Sequence, residues 1–78
     1  MYDRIEKVEV GYSVAIGFTD GLRGMMIGIL LAQGEIYSEK YGKEWFWKIA
    51  LGNQVVVALE SEVGWVLKWN EEMLKGKE

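Results

Sequence analysis

The second half of the chain has mostly apolar residues at alternating intervals of four and three, with Asn70 the polar exception. These positions are Trp45, Ile49, Gly52, Val56, Leu59, Val63, Val66, Asn70 and Met73. Sustained 4–3 spacing is typical of a helix that packs along one seam. Gly76 stands where a helix C-cap belongs, between Lys75 and Lys77, which favour the negative end of a helix dipole. The pattern predicts one helix over residues 44–75. Its seam within a hairpin would consist of Ile49, Val56, Leu59, Val63 and Val66.

The same segment has a second interpretation. A helix could begin only at Asn53, capped by the asparagine side chain, since Asn is among the favoured N-cap residues. Residues 45–51 would then form a strand.

The first half of the chain supports both a helix and a strand. Apolar and small or polar residues alternate strictly from Val8 to Thr19, which favours a strand, and Asp20-Gly21 could be its hairpin turn. A 3/4 spacing also runs from Ile5 to Ile36, which favours a helix over residues 2–40. On that helix one face would carry a stripe of small residues: Gly17, Gly21, Gly24, Gly28 and Ala32. Such a stripe lets neighbouring subunits pack closely, so we predict it to be the subunit-packing surface.

Charged residues cluster at residues 1–9, 35–44 and 68–78, on either side of two long apolar stretches. Tyr41-Gly42-Lys43 is the natural loop between them, because Gly42 can adopt the left-handed conformation that ends a helix. We therefore predict an all-α fold: a single domain over residues 1–78, formed as a two-helix hairpin (about 2–40 and 44–75, loop 41–43) that assembles into an oligomer or filament. The alternative is a small α+β domain, if residues 7–19 form a strand.

Composition narrows the chemistry. The 78 residues contain neither Cys nor His, which excludes disulfides and removes the commonest general base and metal ligand. Ser13, Ser38 and Ser61 have no histidine partner, so we expect no enzyme activity, no catalytic residue, no metal and no cofactor. A net charge of −3 argues against general nucleic-acid binding. Half of the residues are hydrophobic, which suggests apolar surface that is buried against another molecule.

The apolar stretches, residues 10–34 and 45–67, are long enough to cross a bilayer as helices, and aromatic residues lie at their ends. Against this, no charge-free run reaches 18 residues, and the mean hydropathy is −0.01. The pattern indicates a chain apolar enough for lipid and polar enough to leave it for a protein assembly.

Two short features suggest other chemistry. Gly21-Leu22-Arg23-Gly24 has the minimal pattern of a KH-domain nucleic-acid loop. A glycine-rich first half, a polar loop and Glu60 in the second half resemble subunit c of rotary ATP synthases, which would imply that Glu60 carries an ion. The alternative for Glu60 is an ion-pair partner or a solvated residue.

The overall layout of residues 5–75 resembles the two-helix pilins of conjugation and DNA-uptake systems. The resemblance implies a structural subunit that waits in a membrane as a hairpin and then forms an extracellular filament with bound lipid. Its partners would be further copies of itself, membrane lipid, and nucleic acid only as cargo. By that analogy Lys40 and Lys43 would lie near lipid head groups or passing DNA.

Three alternatives remain. The chain could be the coat protein of a rod-shaped or filamentous virus and so belong to a virion. It could be a small soluble α+β binding module. It could also be a small membrane protein that forms no polymer.

Overall fold

The computed structural model describes residues 4–69, which form one six-stranded sheet. The strands are β1 (Arg4–Ile5), β2 (Ser13–Phe18), β3 (Met25–Ser38), β4 (Gly42–Leu51), β5 (Gln54–Leu59) and β6 (Val63–Lys68). A 3₁₀ turn, Glu60–Glu62, joins β5 to β6. The strand order is β1-β6-β2-β3-β4-β5. Only β1 and β6 run parallel; the other neighbours are antiparallel.

Strand β3 belongs to both halves of the sheet. Its first part pairs with β2 up to Ile29, and its remainder pairs with β4 from Ile29 to Ser38. The pairing with β4 is interrupted by a shift between Leu30 and Ala32. A bulge of this kind bends a strand and increases its local twist. The bulge therefore turns the β6-β2-β3 half relative to the β3-β4-β5 half.

The core lies on one face of this bent sheet and draws residues from both halves. Its buried members are Val8, Val14, Ile16, Leu30, Trp47, Ile49, Ala58 and Val66. Leu30 pairs with Ile49, and Ile49 pairs with Val56, so the three side chains form one row across β3, β4 and β5. The opposite face of the sheet, the outer face, carries the alternate residues of each strand.

The predicted two-helix hairpin is wrong. Residues 4–69 contain no α-helix, so neither the 2–40 helix, the 44–75 helix nor the α+β alternative describes this part of the chain. The two helices on which the pilin resemblance rests are thus missing from it. In the same residues, no helix is long and apolar enough to span a membrane, and the membrane-inserted helical hairpin is corrected accordingly.

The false helical signal in the second half has a physical cause. A two-residue turn, Gly52-Asn53, joins β4 to β5 and brings Ile49 opposite Val56. These residues are seven apart, which is also the heptad spacing. Gly52 has a φ of 65°, the conformation that a tight hairpin turn requires at its first central residue. The spacing read as a helical seam is therefore, at these residues, the register of a hairpin.

The strand interpretation of the first half is correct for residues 13–18, which form β2. Gly21 and Gly24 lie in the loop between β2 and β3, with φ values of 78° and 66°. The chain reverses direction again at residues 39–41, and Gly42, with a φ of 77°, opens β4 instead of ending a helix. The remaining positions predicted for the second helix, Asn70, Met73, Lys75, Gly76 and Lys77, lie outside the described residues.

Candidate functional site

Strand β5 forms an exposed edge of the sheet, because its only neighbour among the described strands is β4. The two-residue turn makes Leu51 and Gln54 the closing hydrogen-bonded pair, so hydrogen bonding to β4 alternates from there along β5. The backbone groups of Val55 and Val57 consequently point away from β4. Leu59, which has the same parity, confirms this direction, since its N–H donates to Glu62 Oε1 at 3.3 Å. Val55 and Val57 thus present backbone donors and acceptors at the edge that have no partner among residues 4–69.

Within residues 54–59, strand β5 carries none of the usual protection against pairing. Gln54-Val55-Val56-Val57-Ala58-Leu59 contains no charge, no Pro and no Gly, and its pairing with β4 shows no bulge. Natural edge strands are normally short, charged or interrupted, because a regular apolar edge pairs with other strands. Strand β5 is therefore an unprotected edge of the described sheet.

The outer face beside β5 is largely apolar, although the exposed Lys48 of β4 lies opposite Val57. Ile29, Ala50 and Val55 form one row across three strands. Val55 is 55% exposed and Val57 47% exposed, and Met25, Ile27 and Ile29 of β3 are exposed as well. An apolar surface that continues to a free strand edge is typical of an interaction surface.

A cleft of about 430 Å³ lies beside the 3₁₀ turn. Its lining consists of Ile5, Glu6, Lys7, Gln33, Trp45, Trp47 and Glu60. Trp45 and Trp47 are two residues apart on β4 and so point to the same face, with Gln33 opposite Trp47 on β3. The volume is in the range of small-ligand sites, roughly 300–1,000 Å³.

Two carboxylates attach the 3₁₀ turn to the start of β4. Glu60 Oε1 accepts the backbone N–H of Trp45 at 3.0 Å, and Glu44 Oε1 accepts that of Ser61 at 2.9 Å. Glu44 is only 6% exposed, and its Oε2 has no hydrogen-bond partner among the described residues. Glu60, for which the subunit c resemblance would imply an ion carrier, accepts a backbone hydrogen bond here.

A charged cluster joins the β2–β3 loop to the 3₁₀ turn. Arg23 contacts Asp20 at 2.8 Å and Glu62 at 3.5 Å, and its guanidinium carbon lies 4.1 Å from the centre of the Phe18 ring. Hydrogen bonds from the backbone of Arg23 and Leu22, and from the Arg23 side chain, lower the pKa of Asp20 from 3.8 to about 2. The side-chain hydrogen bond to Asp20 raises the pKa of Arg23. The Gly21-Leu22-Arg23-Gly24 motif is therefore a loop held by ion pairs.

The predicted small-residue stripe is not one surface in this fold. Gly17 lies on β2, Gly28 and Ala32 lie on β3, and Gly21 and Gly24 lie in the loop between these strands. Gly17 and Gly28 are required by close contacts inside the chain, since a Cβ would meet Trp65 at Gly17 and the Ala50 carbonyl at Gly28. A role for these residues in subunit packing stays a prediction.

The predicted seam residues are brought together in part. Ile49 and Val66 are buried in the core, and Val56 and Val63 pack against it. Leu59 is half-buried at the end of β5. Their meeting depends on strand pairing, since they lie on three different strands.

Lys40 lies in the β3–β4 turn, and Lys43 lies at the start of β4. Lys43 lies 3.8 Å from Glu35, and the Lys40 ammonium lies 5.5 Å from the Tyr41 ring centre. Contact of either lysine with lipid or nucleic acid stays a prediction. Across residues 4–69, no three acidic side chains gather in a group that could hold a metal ion.

The sequence interpretation missed both the β5 edge and the cleft. The edge had a signal, a run of six uncharged residues directly after Gly52-Asn53. The cleft had none, because Ile5, Gln33 and Trp45 come together only through pairing of distant strands. No family model, no curated protein and no solved structure matches this chain.

Proposed function

We propose that this protein is a non-enzymatic, self-associating β module whose copies pair through the free edge of β5. The observation that carries the proposal is the unprotected edge formed by Val55 and Val57, with free backbone groups and exposed apolar side chains. Pairing of such edges is a common mode of recognition, in which main-chain hydrogen bonds supply affinity and side chains supply specificity.

A second copy is the occupant that this strand fits best. If a two-fold axis passes beside Val56, Val55 lies opposite the partner's Val57 and the reverse, which forms about four backbone hydrogen bonds. The facing side chains are all valines, and the six residues bring no like charges together. The apolar row of Ile29, Ala50 and Val55 would continue to the partner's Val57, next to the partner's Lys48. The β5 edge is thus self-complementary.

Pairing of β5 with β5 is isologous, so by itself it closes as a dimer. The filament predicted from the sequence requires a second, different contact surface. Measuring the mass of the assembly against concentration separates a dimer from a filament, because a dimer reaches a fixed mass whereas a filament grows with concentration.

Analytical ultracentrifugation from about 1 µM to about 1 mM tests the proposal, since the range spans common dimer affinities. We expect reversible dimerisation of the natural sequence. Val57→Lys should weaken it by at least about tenfold, because edge lysines block strand pairing. Leu22→Lys is the matched control: it adds the same charge at an apolar side chain that is 90% exposed in the β2–β3 loop. A monomer at all concentrations, or equal effects of the two variants, contradicts the proposal.

Amide hydrogen exchange identifies the surface. The N–H groups of Val55 and Val57 should become protected as concentration rises. Those of Val56 and Ala58 already bond to β4 and should be protected throughout. Dimerisation without protection of Val55 and Val57 would place the contact elsewhere.

A further inference from the structure

The polar groups that line the tryptophan cleft are mostly hydrogen-bond acceptors. Glu60 Oε1 is used by the Trp45 N–H and Glu6 Oε1 by the Lys68 N–H at 2.8 Å, so each carboxylate keeps its Oε2 outside the hydrogen bonds of the described residues. Gln33 Nε2 donates to the Val8 carbonyl at 2.9 Å, which leaves the Gln33 Oε1 as an acceptor. Three residues of the lining therefore each keep one acceptor oxygen outside the hydrogen bonds of the described residues.

The net charge of the cleft lining, like its acceptor oxygens, favours a cation. Two carboxylates, Glu6 and Glu60, stand against one ammonium, Lys7, so the formal charge of the lining is −1. Trp45 and Trp47 add indole rings, whose faces attract cations more strongly than other aromatic rings do. Acceptors, negative charge and indole surface together favour a cation that donates several hydrogen bonds and has an apolar stem.

We propose that this cleft binds an arginine side chain from a partner protein. Guanidinium offers five N–H donors in a planar fork, stacks on aromatic rings and sheds water more easily than ammonium. The chain already contains such a contact, since the Arg23 guanidinium lies 4.1 Å from the Phe18 ring and bonds to Asp20. In the cleft the guanidinium stacks on Trp45 and donates to Glu60 and Gln33, while the stem lies against Ile5. This site is separate from the β5 edge and does not depend on dimerisation.

The test is an NMR titration of the full chain, labelled with ¹⁵N, with the peptide acetyl-Gly-Arg-Gly-amide. We expect saturable shifts of the Trp45 indole N–H and the Gln33 side-chain amide, with a dissociation constant in the millimolar range that a single side chain supports. The citrulline peptide has the same shape without the charge and should produce no saturable shift. The lysine peptide should bind at least about fivefold more weakly, because ammonium is a point charge without the planar fork.

Variants assign the site. Glu60→Gln keeps an acceptor for the Trp45 N–H while removing the charge, and Trp45→Leu removes the indole; each should weaken binding at least about fivefold. Glu39→Gln, at an exposed turn residue, is the control for loss of one negative charge and should bind as the natural chain does. Preserved amide spectra would show that each variant is folded. Equal binding of the citrulline or lysine peptide, or equal effects of Glu60→Gln and Glu39→Gln, would overturn the assignment.

Repeating the titration with the Val57→Lys variant should leave arginine binding unchanged. Failure of the cleft proposal and failure of the dimer proposal are therefore distinguishable.

Discussion

Gly17 and Trp65 are cross-strand partners on β2 and β6, and the indole of Trp65 lies where a Gly17 side chain would be. A Cβ on Gly17 would overlap the atoms of the indole ring. A ring that covers a glycine on a neighbouring strand replaces the missing side chain and fixes the local register. The backbone of Gly17 is not in the left-handed region. Glycine is therefore required here because there is no room for a side chain, and not because of the backbone conformation.

Gly17→Ala is therefore expected to displace the Trp65 ring and to destabilise the protein. Overpacking of this kind costs roughly 1–3 kcal/mol. Urea denaturation measures the free energy of unfolding. Gly17→Ala should cost less in a Trp65→Ala background than in the natural chain, because the ring that it would overlap is gone. If Gly17→Ala alone leaves stability unchanged, the close contact is not a constraint.

Glu44 provides a second prediction, since it is buried and bonds to the Ser61 N–H through one oxygen. Glu44→Gln retains an acceptor for that N–H and removes a buried charge, so we expect stability to be unchanged or increased. Glu44→Ala leaves the N–H without a partner, which costs roughly 1–3 kcal/mol. Thermal denaturation of the two variants at neutral pH decides the point. Equal losses in both would show that the negative charge itself is required.

Asp20 predicts a pH dependence. Its pKa is lowered to about 2 in the folded protein, from an ordinary value of 3.8, chiefly by the backbone N–H groups of Arg23 and Leu22. A carboxylate with a lowered folded pKa stabilises the fold above its unfolded pKa and loses that effect as pH falls through the folded pKa. The natural chain should therefore melt at a higher temperature than Asp20→Asn at pH 7, and the difference should shrink between about pH 4 and pH 2. Glu39→Gln, for which no ion pair occurs among the described residues, controls for net charge. A difference that stays constant down to pH 2 would contradict this role.

Ile49 and Ile36 form a matched pair for testing the core. Ile49 is fully buried between Leu30 and Val56, whereas Ile36 is 41% exposed near the end of β3. Ile49→Ala should cost about 2–5 kcal/mol through lost burial and a residual cavity. Ile36→Ala should cost much less, about 1 kcal/mol or below. Chemical denaturation compares them, and similar losses would mean that the core lies elsewhere.

Some of the fold could be predicted from sequence. The strict alternation from Val8 to Thr19 favoured a strand, the alternative to the predicted helix, and residues 13–18 of it form β2. The loop predicted at residues 41–43 lies one to two residues after the turn at 39–41. The second half could not be read in this way. A heptad spacing of seven residues and a hairpin pair across Gly52-Asn53 produce the same apolar pattern at Ile49 and Val56. Periodicity alone does not choose between them, although ten glycines in 78 residues weigh against long helices in water.

What the sequence determined by itself is local: alternation in β2, glycine turns, and a composition without Cys or His. The tertiary structure decided everything that joins distant segments. Pairing of Val14 with Lys68 and of Gln33 with Trp47 builds the sheet and places the cleft beside the 3₁₀ turn. The register also leaves β5 as a free edge, a property that belongs to the whole sheet. The physical reason is that hydrogen bonds between strands satisfy backbone groups whichever residues carry them, so only packing of the complete core selects which strands become neighbours.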